Sequence, residues 1–121
     1  MRVCKVFSFD AAHRLPNYEG KCANLHGHRW VLEVEVSGRV GEDGMVVDFA
    51  KLKKTVNELV IDKLDHSYLN DIVENPTCEN LLELIREILS EPLSYVSYFD
   101  SLERLRLYET PDSFAEWRRD E

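Results

Sequence analysis

A chain of 121 residues that is 44% hydrophobic has the length and apolar content of a single globular domain, 1–121, with a modest core and no room for a second. Its net charge of -8, from 23 acidic against 15 basic residues, argues against a nucleic-acid partner, because phosphate backbones reward clustered Lys and Arg. No apolar run approaches the roughly 18 residues of a membrane span, and charges interrupt the N-terminal MRVCKVFSFD before a signal core can form, so no membrane role and a cytoplasmic location are expected.

The first ten residues, rich in Val and Phe, read as a strand, and RWVLEVEVSGRV from Arg29 to Val40 reads as a longer one. Its period of two puts Trp30, Leu32, Val34 and Val36 on a dry face and Arg29, Glu33 and Glu35 on a wet one. Gly41 to Gly44 is a turn. Asp48 can then cap a helix whose inward positions are Phe49, Leu52, Val56, Leu59, Val60 and Leu64. A second helix begins near Thr77 after Pro76, turns Leu81, Leu84, Ile85, Ile88 and Leu89 inward, and is ended by Pro92. Strands follow from Leu102 to Glu109 and, after the Pro111-Asp112-Ser113 turn, from Phe114 to Arg118.

The order ββααββ predicts an α+β fold, a four-stranded antiparallel sheet with two helices on one face. Arg104 and Arg106 join Glu33 and Glu35 on the other face, which is left for water or a partner. Cys4, Cys22 and Cys78 lack a framework spacing and read as free thiols; Cys4 and Cys78 are expected to pack as small apolar groups.

Three of the four histidines, His13, His26 and His28, fall close together, in FDAAHRL and CANLHGH. In extended chain His26 and His28 point the same way, with Gly27 relieving crowding, and that parity continues into buried Trp30 and Leu32. His13, in phase with Phe7, Phe9 and Ala11, reaches the same side from the neighbouring strand. Three imidazoles can then hold Zn²⁺ and leave its fourth tetrahedral position open, the arrangement of a catalytic site; ligand type alone also admits iron or copper. The competing reading is three separate hydrogen-bonded histidines.

Cys22, four residues before His26, can lie beside that metal as base or nucleophile, because a nearby cation favours thiolate. It could instead be a fourth ligand, which makes the site structural, or an inert buried thiol. Asp65 and His66 follow the first helix as a pair in which a carboxylate can orient an imidazole; a surface Asp-His at a helix end is the plain alternative. Glu109 ends the inward face of its strand with a carboxylate, a costly burial unless compensated by a planar ligand with two adjacent N–H donors, by an arginine or by a backbone contact. Asp48 and Thr77 read as helix caps.

Taken together, FDAAHR, CANLHGH, GMVVDFAKLK, LDHSYLN, NPTCENL and the late YET resemble, in order and separation, the 6-pyruvoyltetrahydropterin synthase superfamily across nearly the whole chain. The three residues between Cys22 and His26 are similar to the 6-carboxytetrahydropterin synthases, where pyruvoyl-forming enzymes usually carry an insertion. The resemblance implies a tunnelling fold (T-fold) whose subunits join sheets into a barrel and stack as a hexamer, a dimer of trimers, with the pocket between subunits. It implies His13, His26 and His28 as zinc ligands, Cys22, Asp65 and His66 as catalytic residues, Glu109 as pterin anchor, and Thr77 and Glu79 as pocket lining. The implied substrate is the pterin triphosphate 7,8-dihydroneopterin triphosphate and the product 6-carboxy-5,6,7,8-tetrahydropterin, on the route to 7-deazapurine nucleosides such as queuosine. Arg29-Trp30 and the tail PDSFAEWRRDE depart from the family pattern, and Arg14, Lys21 and Arg29 lie near the histidines in sequence without an assigned triphosphate contact. Runners-up are a pyruvoyl-forming synthase, an archaeal relative that yields a 6-hydroxymethyl pterin, a zinc-dependent pterin-binding ring without turnover, and a structural zinc domain.

Overall fold

The computed structural model describes residues 1–91 and 99–120, so the expected helix stop at Pro92 lies outside the described residues. β1 (Arg2–His13) pairs antiparallel with β2 (His26–Gly38) along its whole length. Helix α1 covers residues 49–64, with Phe49–Val56 in α form, a π-helical stretch at Asn57–Ile61 and a last turn at Asp62–Leu64. β3 (Ser67–Tyr68), helix α2 (Cys78–Ser90), β4 (Phe99–Thr110) and β5 (Ser113–Arg118) follow.

The sheet order is β3-β1-β2-β4-β5, antiparallel except where β3 runs parallel to Ala11 and Ala12 of β1. The expected four strands therefore become five, in a mixed sheet, and the order ββααββ gains a strand between the helices. Two residues are too few to carry an alternation, so β3 leaves no periodic signal in the sequence. β1 and β2 also reach further toward each other than composition indicates. β2 starts at His26, not Arg29, because pairing with β1 draws the polar HGH run into the ladder.

Both helices form where side chains satisfy their first N–H groups: Asp48 Oδ1 accepts from Ala50 N at 2.8 Å, and Thr77 Oγ1 accepts from Asn80 N at 3.1 Å. Leu52, Val56, Val60 and Leu64 of α1 and Leu81, Ile85 and Leu89 of α2 are buried against Leu32, Val34, Leu105 and Leu107 of the sheet in one cluster. Leu59, Leu84 and Ile88 pack at its margin. Ile61 and Leu82 join the core beyond expectation. Phe49 is a correction: at the first turn of α1 it is 47% exposed, its ring 5.9 Å from the Lys5 ammonium instead of in the core.

The charged face is an ion-pair lattice. Arg104, only 9% exposed, meets Glu33 at 3.0 Å and Glu35 and Glu116 at 3.5 Å, and Arg106 meets Glu116 at 2.7 Å. A bulge at Glu103 lets Leu102 and Leu105, which are out of phase for a regular strand, both face the core. Cys4 is a second correction, since its parity puts it on this polar face, exposed, with Sγ 3.8 Å from an Arg104 nitrogen. Cys78 is buried as expected and its Sγ donates to Leu107 O at 3.2 Å.

Trp30 joins core and site. It is fully buried, stacks on Phe9 at 6.2 Å between ring centroids, and donates its indole N–H to Ala11 O at 3.2 Å. Trp30→Ala should cost about 3–5 kcal/mol of unfolding free energy through the cavity it opens, read as a lower denaturation midpoint with an unchanged m-value.

Candidate active site

The antiparallel register sets His13 opposite His26, Ala11 opposite His28 and Phe9 opposite Trp30, so the three imidazoles share one face at the end of the β1–β2 pair. Their ring centroids lie 4.6, 4.8 and 5.3 Å apart. Trp30 stands edge-on behind His13 and His28, at 5.2 and 5.7 Å. His13 Nδ1 lies 2.8 Å from Pro76 O, and His26 Nδ1 lies 2.7 Å from Asn24 O. A carbonyl can only accept, so each Nδ1 carries a proton, and in the neutral ring each Nε2 offers its lone pair.

The Nε2 atoms of His13, His26 and His28 are all buried without a hydrogen-bond partner. A buried polar atom left unpaired is costly, and three converging lone pairs are resolved together by one cation. Orientation of the rings through Nδ1 is the usual support for a metal-binding histidine. Burial, with His13 and His26 nearby, lowers the His28 pKa against the opposing pull of Glu109, which favours the neutral ring that a metal binds.

Glu109 sits where β4 and β5 slip by one residue, and its Oε1 lies 3.1 Å from His13 Nε2 and 3.4 Å from His28 Nε2. The ligand atoms of His13, His26, His28 and Glu109 all lie within 4.8 Å of one another. The three imidazoles suit Zn²⁺, with the Glu109 carboxylate beside them. Among the described residues the Glu109 carboxylate faces imidazoles, with neither arginine nor backbone as the compensating group.

Asp65 and His66 are also brought together: His66 Nδ1 lies 3.1 Å from Asp65 Oδ2. His66 has φ 59, the left-handed region where a side chain is tolerated only when neighbours hold it. Its N–H donates to Asp10 O at 2.6 Å, while Asp10 N–H donates to Asp65 Oδ1 at 2.9 Å. The latter bond is the main reason the Asp65 carboxyl sits below its usual pKa, with His66 adding to it. His66 and His28 line one open cleft of about 470 Å³ with Asp10, Arg29 and Ser67.

Cys22 is half-buried in the short turn Lys21–Ala23, held by Leu15 N–H donating to Cys22 O at 2.8 Å. Its sulfur does not join the histidines and Glu109 in their group of ligand atoms. Thr77 spends its hydroxyl on the α2 cap. Glu79 shares a cavity of about 410 Å³ with Glu109, Cys78, Phe114 and Glu116. Arg14 lines a separate polar cavity with Asn17, Tyr68, Asn70 and Asn80, away from the cleft that Arg29 lines. The roles of Asp10, Pro76 and Asn24 went unread from the sequence. Pro76 and Asn24 act through backbone carbonyls alone, which any residue supplies; the Asp of FDAAH, which adds a side-chain contact to Arg29, was the one available signal.

Comparison with known proteins adds a family. The profile described as 6-pyruvoyl tetrahydropterin synthase matches residues 2–120. The chain is 47% identical over 96 residues to 6-carboxy-5,6,7,8-tetrahydropterin synthase of Synechocystis sp., covering 74% of each chain. It is 45% identical over 92 residues to dihydroneopterin monophosphate aldolase of Pyrococcus furiosus, covering 76% of this chain and 77% of that one. The solved 6-pyruvoyl tetrahydropterin synthase of Caenorhabditis elegans superposes with a TM-score of 0.77 at 33% identity, covering 98% of this chain and 94% of that one.

Proposed function

Because the chain belongs to the 6-pyruvoyl tetrahydropterin synthase family, we propose that it is a lyase that converts 7,8-dihydroneopterin triphosphate and water to 6-carboxy-5,6,7,8-tetrahydropterin, acetaldehyde and triphosphate. The observation that carries this reading is the convergence of three buried, unpartnered Nε2 atoms, one of them on His28, which lines a cleft together with His66. His13, His26 and His28 would hold Zn²⁺, which supplies Lewis-acid polarisation to the oxygens of the substrate side chain.

The protein's own groups do the remaining work. His66, oriented by Asp65, and Cys22 exchange protons with the carbons and hydroxyls of that side chain. Glu109 anchors the guanidine-like edge of the pterin by accepting two N–H bonds, while Glu79 and the N-terminal turn of α2 at Thr77 border the ring. Glu109 close to the histidines supports a pterin held within reach of the metal. The redox change is internal to the substrate, so no nicotinamide or flavin is required.

The exposed edges of β3 and β5 and the charged sheet face support assembly of sheets into a closed ring, a hexamer of two stacked trimers, which removes free strand edges. A monomer by light scattering at micromolar concentration would reject it. No described helix is long and apolar enough to cross a membrane, and the free cysteines fit a reducing, cytoplasmic compartment.

The similarity to the Pyrococcus aldolase, close to that with the Synechocystis synthase, supports a second reading, release of a 6-hydroxymethyl pterin. Mass spectrometry after incubation with dihydroneopterin triphosphate and, separately, dihydroneopterin monophosphate separates them. A carboxypterin with acetaldehyde from the triphosphate is the expected outcome; a hydroxymethyl or pyruvoyl pterin overturns the assignment within the family, and no turnover of either phosphate by metal-loaded protein leaves only a pterin-binding or structural zinc role. The same carboxylated pterin would place the protein on the route to 7-deazapurine nucleosides.

A further inference from the structure

The cleft contains a charge arrangement that the proposed chemistry does not use. Arg29, on β2 beside His28, is paired across the ladder with Asp10. Its Nε donates to Asp10 Oδ1 at 3.0 Å and its Nη2 to Asp10 Oδ2 at 3.1 Å, a two-pronged bond that engages both oxygens. Asp10 in turn touches both members of the next pair through its backbone, accepting from His66 N–H and donating to Asp65. The ligand atoms of Asp10, Asp65 and His66 lie within 4.8 Å of one another, so two carboxylates stand close enough to repel. With both Asp10 oxygens held by a guanidinium, the cluster reads as a hydrogen-bonded chain and not as a cation site.

We propose that Arg29 is a positioning residue: by neutralising Asp10 it lets the Asp65 carboxylate stay beside Asp10 and hold the His66 ring toward the cleft it shares with His28. The inference rests on the reading of Asp65 and His66 as an acid/base pair. Three features support it. His66 adopts a left-handed backbone whose N–H is held by the Asp10 carbonyl. The guanidinium draws the Asp10 carboxyl below its usual pKa, against the Asp65 charge that pushes it up, which favours an ionised Asp10 beside Asp65. Finally, Arg29 grips Asp10 of β1, and the Asp10 backbone holds the turn that bears the proposed proton carrier, so the strand that bears a proposed metal ligand is linked to that turn through Asp10.

Charge removal at both ends tests this. Arg29→Met leaves two facing carboxylates unbalanced, and kcat should fall about tenfold, a part of the full effect of a general acid or base, with KM, metal content and assembly unchanged. Adding Asp10→Asn removes the repulsion, so the double variant Asp10→Asn/Arg29→Met should recover most of that kcat. An unchanged kcat in Arg29→Met overturns the proposal. So does a raised KM that the double variant fails to restore, which would make Arg29 a substrate contact. Nuclear magnetic resonance of the His66 ring gives a readout independent of turnover: its shifts should move in Arg29→Met and return in the double variant, and shifts that stay fixed overturn the proposal. If metal-loaded wild-type protein has no pterin activity, the enzymatic reading fails, and the ring shifts still decide whether Arg29 positions His66.

Discussion

His28→Ala is expected to weaken metal binding by more than about 100-fold, beyond the loss typical for an outer supporting residue, while the protein stays folded. The choice of His28 follows from its surroundings. His13 is wholly buried and bonded to Pro76, so its removal damages the core as well as the centre. The His28 side chain is 21% exposed at the rim of the cleft, so truncation removes a ligand with less packing loss. Two imidazoles remain, and the Glu109 carboxylate can complete a zinc set only by giving up its place as pterin anchor. Metal analysis of purified protein after competition with a chelator checks it, and circular dichroism checks that the fold survives. A His28→Ala protein with full metal content would contradict a three-histidine centre.

Cys22→Ala is expected to keep metal, fold and assembly and to lose catalysis by about 1,000-fold, the middle of the range for a positioned proton-transfer group. The Cys22 sulfur lies outside the group of ligand atoms formed by the histidines and Glu109, which is why metal retention is expected. A structural ligand would behave in the opposite way, with metal and fold lost together. Steady-state kinetics of metal-loaded Cys22→Ala protein separate the two, because loss confined to kcat marks a group needed in the transition state. Normal turnover would remove Cys22 from the mechanism.

Much of the site is legible in the chain because strand parity is a hard geometric rule. His26, His28, Trp30 and Leu32 must share a face once that segment is extended, and the run Phe7, Phe9, Ala11 and His13 does the same on its neighbour. What parity alone leaves open is whether the two faces coincide, and the register of His13 with His26 supplies this. The pairing of Asp65 with His66 and the caps at Asp48 and Thr77 were legible as local chemistry.

The unread features are those fixed by tertiary contact. β3 is two residues long and exists through its partner strand. Phe49 has helical spacing yet stands at a first turn that overhangs the core edge. Cys4 was expected to pack as a small apolar group, although its even position in β1 assigns it to the polar face. The bulge at Glu103 reconciles Leu102 with Leu105 in a way that simple alternation does not reveal. Arg29, an odd residue beside the histidines when read linearly, gains its meaning only opposite Asp10.

The most direct test of a metal centre built from three imidazoles is X-ray absorption at the metal edge of purified protein. Nitrogen scatterers at about 2.0–2.1 Å with no sulfur shell at about 2.3 Å are the expected result for zinc. Folded protein that binds no metal, or a spectrum with a sulfur neighbour from Cys22, would contradict it.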